Sequence, residues 1–317
     1  MKSFDCIVCG EVCVDLPVYP IDQQVRLRDL ETVRIQPIEP GGGGLVANCG
    51  TVMARLGLQV AAFCVIGQDL WGKFLGEWLV RHRVNVDHVL QHQTAPTSVT
   101  AVLVGETGDH TFAYHGGASQ QFNRQTVDDN IQLFERSKFA LFGYYSLMPQ
   151  LQDDLAEVLQ TIRATGCRTA LDTAGGGGSL KPLDRILPHL DLYIPSIAEA
   201  QSQTGLHEPK EIISTYRSFC PTGLLGVKLG EQGALLSPAD NQWIAVQAVE
   251  PPGAVLDTTG AGDSFYAGLI TGLVRGHAIE DAGRIAAAAG ACSVTGIGAL
   301  AGIRDFEETC HIAGVKG

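Results

Sequence analysis

Asp263 stands directly behind three small residues, Gly260, Ala261 and Gly262, and ahead of an apolar stretch, Phe265 to Val274, that Gly276 closes. The full run from Val255 to Gly268 reads as a short apolar strand, a polar glycine-rich turn and the start of a helix. Glycines let backbone N–H groups converge with no side chain in the way. The first helical turn adds unsatisfied N–H groups and the positive end of the helix dipole. Such a cradle suits a phosphoryl group, whose charge spreads over several oxygens during transfer. A carboxylate repels phosphate, so Asp263 is out of place as a phosphate ligand, but it makes sense as a base. At the cradle's edge it can take the proton from a hydroxyl that attacks the terminal phosphate. Taken alone, an Asp before a helix is more often a first-turn residue that stabilises by about 0.3–1 kcal/mol.

A second set of candidates lies near the N-terminus. Phe4 to Val8 reads as a buried strand, and Gly10-Glu11-Val12-Cys13-Val14-Asp15 follows it. That order places Asp15 near the carboxyl edge of a sheet, where open α/β sheets bind ligands. An ionised Asp accepts two O–H bonds at once, which suits a vicinal diol; a solvated turn Asp is the plainer alternative. Gly41-Gly42-Gly43-Gly44 then reads as a loop leading into an apolar helix, Ala47 to Leu56, closed by Gly57. Gly43, Gly44 and Asn48 stand at that loop-to-helix junction, where backbone can approach a ligand closely.

The elements that must position these residues alternate. Val60 to Gly67 is a strand, and a helix beginning at Asp69 runs to His82. Thr97 to Val104 and His110 to Tyr114 form a hairpin around residues 105–109. With the weakly alternating segment 33–38, that hairpin can build a small sheet apart from the main one. Further on come strand Phe139 to Tyr145, helix Gln150 to Thr165 and strand Arg168 to Leu171, with Asp172 at its end beside the glycine loop 175–178. Strand Leu190 to Ile194 precedes a helix opened by Pro195-Ser196-Ile197-Ala198-Glu199. Leu224 to Leu236 reads as two short strands about a Gly230-Glu231-Gln232-Gly233 turn, and Ile285 to Thr295 as a small-residue helix. Strands alternating with helices argue for a parallel sheet covered on both faces.

Composition bounds the function. The 317 residues contain 45% hydrophobic and 18% charged residues, as an ordinary globular chain does. A formal net charge of -12 argues against a nucleic-acid partner, whose phosphates need a basic patch. No apolar run approaches a membrane span, and the first residues read as a strand rather than a signal peptide. The nine cysteines are an odd number, scattered mostly within apolar runs, which predicts reduced core thiols and a cytoplasmic location. Cys6 and Cys9 point to opposite faces of a strand, so they do not form a metal pair. Gly296-Ile297-Gly298-Ala299-Leu300-Ala301 mimics a dinucleotide fingerprint but follows a helix, and no P-loop is present.

The stretch from Val255 to Gly268 resembles the second signature of the PfkB/ribokinase family of carbohydrate kinases. Gly43-Gly44-x-x-x-Asn48 followed by Ala54-Arg55-Leu56-Gly57 resembles the first, and Gly67-x-Asp69-x-x-Gly72 also recurs in that family. The resemblance covers nearly the whole chain. It implies one ribokinase-like, doubly wound α/β domain over 1–317: a mostly parallel sheet with helices on both faces and a small β-sheet lid from segments of about 16–40 and 92–118. The implied activity is ATP-dependent phosphorylation of a hydroxymethyl group on a small sugar, by a fructokinase-like, ketodeoxygluconate-kinase-like or ribokinase-like enzyme. By the match, Asp263 is the base and Gly260, Ala261 and Gly262 form the anion hole. Asp15, Gly43, Gly44 and Asn48 hold the sugar, and Lys228, Gly230 and Gly233 line the ATP groove. Glu199, in a segment similar to the family's Pro-Asn-x-x-Glu, organises Mg2+; here Ser196 replaces the Asn. Asp257 and Thr259 match positions that bind a monovalent cation, K+, in some members. A homodimer through the lid is also implied. The alternatives are a nucleoside kinase of the same family and a catalytically silent sugar-binding regulator.

Overall fold

The computed structural model describes residues 2–22, 24–26, 32–105, 110–173 and 178–317. In chain order its strands are β1 (Phe4–Gly10), β2 (Cys13–Val18), β3 (Gly41–Gly43), β4 (Val60–Gly67), β5 (Val89–His92), β6 (Val99–Val104) and β7 (His110–His115). Then follow β8 (Ser137–Gly143), β9 (Arg168–Asp172), β10 (Leu192–Tyr193), β11 (Leu224–Lys228), β12 (Ala234–Ser237) and β13 (Ile244–Val246). Nine of these form one sheet in the order β13-β12-β11-β10-β9-β8-β1-β4-β5. Neighbours from β5 to β11 run parallel, and β12 and β13 extend the far edge antiparallel.

The apolar runs behave as fully buried strands should. All eight residues of β4 are buried, because both faces of the sheet are covered. Side chains of β1 alternate between two cores: Cys6 and Val8 pack in one, Ile7 and Cys9 in the other. Helices Gly44–Arg55, Ala261–Val274 and Ile279–Ser293 supply the first core, and Leu155–Ala164 and Pro209–Arg217 the second. All nine cysteines are free and buried. Among the described residues, no helix is long and apolar enough to cross a membrane.

Strand order reverses at β1. The chain runs from β1 to β4 and β5 on one side, then returns to β8 and proceeds outward on the other. That reversal opens a crevice at the carboxyl ends of β1 and β8. A second, four-stranded sheet in the order β3-β2-β6-β7 stands beside it. β6 and β7 pair antiparallel from Val99–His115 to Val104–His110, as the alternation of that hairpin predicts. The turn, residues 106–109, and the glycine loop at 175–177 lie outside the described residues.

The other contributors to the small sheet differ from the expectation. Segment 33–38 forms no strand: its residues are exposed, and the Gln36 N–H bond to the Tyr19 carbonyl at 2.8 Å ties it to the chain after β2 without building a ladder. β2 and β3 take its place, so the sheet begins at Cys13 rather than near residue 16, and Gly41–Gly43 is a strand rather than a loop. Val255 and Leu256 also form no strand. They are 58% and 54% exposed, and Leu256 N–H makes one bond, at 2.8 Å, to the Val294 carbonyl. The strand at 190–194 shortens to two residues, and the helix placed at 150–165 starts at Leu155, after a turn.

Candidate active site

Helix Ala261–Val274 begins at Gly260, whose φ of 74° is left-handed and whose missing Cβ leaves room for Ala299. Asp263 sits in the first turn and is only 5% exposed. Asn48 Nδ2 donates to Asp263 Oδ2 at 2.8 Å, and the Tyr144 hydroxyl donates at 2.9 Å, shared between both carboxylate oxygens. Burial pushes the Asp263 pKa up; the Asn48 bond, the Lys228 charge and the Tyr144 bond pull in the other direction. The net shift is upward.

Tyr144 follows β8 with φ 60°, a left-handed conformation that costs a non-glycine residue about 1–2 kcal/mol. Its amide donates to the Asp172 carbonyl at 3.1 Å, fixing the kink beyond β8 against the end of β9. The bend turns the phenol into the crevice. Asp172 ends β9 and meets Lys228, which ends β11, at 3.4 Å, both side chains being largely out of solvent. Burial raises the Asp172 carboxyl and Lys228 draws it back. For Lys228 burial works against the charge, but Asp172, Glu199 and Asp263 outweigh it and the ammonium is held charged. A Cβ on Gly262 would lie 3.2 Å from Lys228 Nζ, so this cation sits beside the helix N-terminus.

The opposite end of the crevice is acidic. Asp15 lies on β2 and Glu11 in the two-residue link between β1 and β2. A Cβ on Gly43 would strike the Asp15 carboxylate, and one on Gly44, at φ 75°, would strike Glu11. Only glycines permit that approach. Cys13 Sγ donates to Asp15 Oδ1 at 3.3 Å, and the Tyr114 hydroxyl to Glu11 Oε1 at 3.3 Å. Burial pushes Glu11 up to about 8 and Asp15 to about 6.

One cavity of about 1210 Å³ joins the two ends, running from Glu11 and Asp15 past Asp263 and Lys228 to Ala287. Single-ligand pockets run to about 1,000 Å³, so it has room for a nucleotide and an acceptor together. Asp15, Gly44, Asn48, Glu199, Lys228, Gly230, Gly233, Thr259, Gly260, Ala261, Gly262 and Asp263 all line it. Gly43 lies against Asp15 at its edge. Asp257 is buried beneath, its carboxylate accepting from Thr259 and Gly298 amides at 2.8 Å each. Ser196 and Glu199 close a reciprocal cap on helix Ile197–Thr204: the Ser196 amide and hydroxyl both donate to Glu199 Oε2 at 2.7 Å. Sequence reasoning did not find Tyr144, Glu11 or Tyr114 as site residues, and placed Asp172 without its partner.

A family model described as pfkB family carbohydrate kinase matches residues 5–305. The chain belongs to this family. The PfkB-family chain is 26% identical over 290 residues to a ribokinase of Haemophilus influenzae, covering 88% of this chain and 89% of the relative. It is 25% identical over 291 residues to a 2-dehydro-3-deoxygluconokinase of Bacillus subtilis, covering 86% and 87%. In fold this PfkB-family kinase is similar to Arabidopsis thaliana ribokinase solved with ribose and ATP, with a TM-score of 0.83, 23% identity and 98% of each chain covered.

Proposed function

We propose that this carbohydrate kinase transfers the γ-phosphoryl group of ATP to a hydroxymethyl group of a small sugar, with Asp263 as base. The observation that carries the reading is the place of Asp263. It stands where the acidic end and the cation-bearing end of one cavity meet, beside the amides of Gly260, Ala261 and Gly262. Asp15, Asn48 and the backbone at Gly43 and Gly44 hold the acceptor. Its hydroxyl gives its proton to Asp263, the new O–P bond forms, and the bond from the γ-phosphorus to the bridging oxygen breaks as ADP leaves. The amides and Lys228 stabilise the charge that spreads over the phosphoryl oxygens. Gly230 and Gly233 line the nucleotide's end.

Magnesium fits this arrangement as a nucleotide-borne ion. Among the described residues no group of three His, Cys, Asp or Glu side chains could hold a metal alone. Mg2+ typically rests on phosphates, waters and one or two carboxylates. Glu199 lines the cavity on the Lys228 side, and both described bonds of its carboxylate fall on Oε2. The ion would neutralise phosphate charge. Asp257 and the Thr259 backbone would border a K+ site. The small sheet would close over the acceptor as a lid, and exposed Phe112 of β7 with Val33, Ile35 and Ile38 of the segment before β3 offer apolar surface for a second copy.

The test is ADP release from Mg-ATP across pentoses, hexoses, ketodeoxy acids and nucleosides. Turnover on a sugar is expected, falling when potassium is exchanged for tetramethylammonium. No ADP with any acceptor overturns the enzyme reading, and indifference to the exchange removes the cation.

Tyr144 acts through Asp263 as a positioning residue. Its hydrogen bond favours the ionised carboxylate, so Tyr144→Phe should raise the base's pKa. A bond to a charged group is worth about 1.5 kcal/mol, or about one pH unit. The acid limb of the kcat/KM profile is therefore expected to move up by about one unit. An unmoved limb with lower kcat would leave Tyr144 a purely structural role.

A further inference from the structure

We propose that the acceptor is an uncharged polyol and not a sugar acid or sugar phosphate; this rests on the sugar-kinase reading above. Three carboxyl groups, Glu11, Asp15 and Asp263, converge on the acceptor end of the cavity. Glu11 is 1% exposed, and neither it nor Asp15 pairs with a cation among the described residues. Of the described residues lining the cavity, Lys228 is the one Lys or Arg. Its ammonium is committed to Asp172 at 3.4 Å and faces Gly262 on the phosphate side. The cavity's imidazole, His110, does not fill the gap. It opens β7, pairing with Val104, four residues before Tyr114. At about 3.4 Å per residue its backbone is roughly 14 Å along the strand from that of Tyr114, whose phenol meets Glu11.

An anionic group seated here would face the Asp15 carboxylate with no opposing charge among the described residues, and a buried charge without a partner is rejected strongly. Hydroxyls meet the opposite reception. Each donates and accepts, and the pocket offers both roles. Asp15 is an acceptor for two O–H groups. Glu11 is pushed toward its neutral form by burial and then by Asp15, with Asp263 adding to the push and Tyr114 and Cys13 opposing it. In that form it has an O–H of its own to give. The thiol of Cys13 and the hydroxyls of Thr100 and Tyr114 complete a wall of neutral polar groups. The same neutralisation argues against an ammonium sugar, since a cation gains most beside an ionised carboxylate.

The experiment compares kcat/KM by ADP release at pH 7 for acceptors of one carbon skeleton: a neutral sugar, its acid, its phosphate ester and its amine, in pentose and hexose series. The neutral member is expected to exceed the acid and the phosphate by at least about 100-fold, about 2.7 kcal/mol. Equal or better use of the acid or phosphate overturns the proposal, as does a tenfold preference for the amine. Asp15→Asn should raise the acid-to-neutral ratio about tenfold, and an unchanged ratio also counts against it. If no member releases ADP, the kinase reading fails instead. Thermal shifts on neutral against anionic sugars then still decide the charge preference, and a shift by the acid alone overturns it.

Discussion

Asp263→Asn is expected to lower kcat by about 10²–10⁴-fold, the usual contribution of a positioned base, while acceptor binding stays within a few-fold. The amide keeps the carboxylate's volume, so the first turn of helix Ala261–Val274 retains its packing. It also retains an oxygen for the Asn48 or Tyr144 donor that now bonds Asp263. What it loses is the capacity to take a proton from the attacking hydroxyl. A buried carboxylate raised by burial is also a better base than a solvated one, so little background turnover should remain at neutral pH. Initial rates of ADP release, with thermal shifts for sugar binding, separate the two effects. A variant with wild-type kcat would remove Asp263 from the chemistry.

Lys228→Met is expected to destabilise the protein by about 3–5 kcal/mol, since it leaves Asp172 as an unpaired buried charge. Asp172 is 3% exposed and Lys228 12%, so solvent does little to screen the pair. The methionine fills much of the lysine's length, which confines the effect to charge. The second variant, Lys228→Met with Asp172→Asn, should recover more than half of the loss, because the orphaned charge is gone. Denaturant midpoints for the single and double variants make the measurement. A single variant within 1 kcal/mol of wild type would mean that Asp172 takes up a proton at little cost. Turnover should fall in both variants, because neither carries the cation beside Gly262.

These two sites were legible to different degrees. Asp263, Gly260 and Gly262 could be named from the sequence because their spacing marks a turn feeding a helix, and Asn48 because its segment resembles the family's first signature. The βα alternation was equally plain, since apolar runs in a doubly covered sheet leave little ambiguity. Tyr144 was not legible. An aromatic after a strand carries no local sign that its backbone turns left-handed or that its hydroxyl meets an acid 119 residues away. The Asp172–Lys228 pair spans 56 residues and exists only because β9 and β11 end at the same edge. Segment 33–38 misled because it alternates yet joins no ladder and stays exposed. Val255 and Leu256 misled because apolar character suggested burial where the structure leaves them in solvent. Glu11 stood in plain view within Gly10-Glu11, yet its importance comes from Gly44, whose missing side chain admits it.

The continuity of the backbone between the two sheets gives the small sheet a grip on the chemistry. β2 leaves β1 after two residues, and β3 passes directly into helix Gly44–Arg55 with no intervening loop. Asn48 lies in the opening turns of that helix and holds Asp263 by its carboxylate. A shift of the small sheet would therefore be carried along that helix to the Asp263 carboxylate, much as a latch moves a bolt. Seating of an acceptor against the small sheet and orientation of the Asp263 carboxylate would then be a single event.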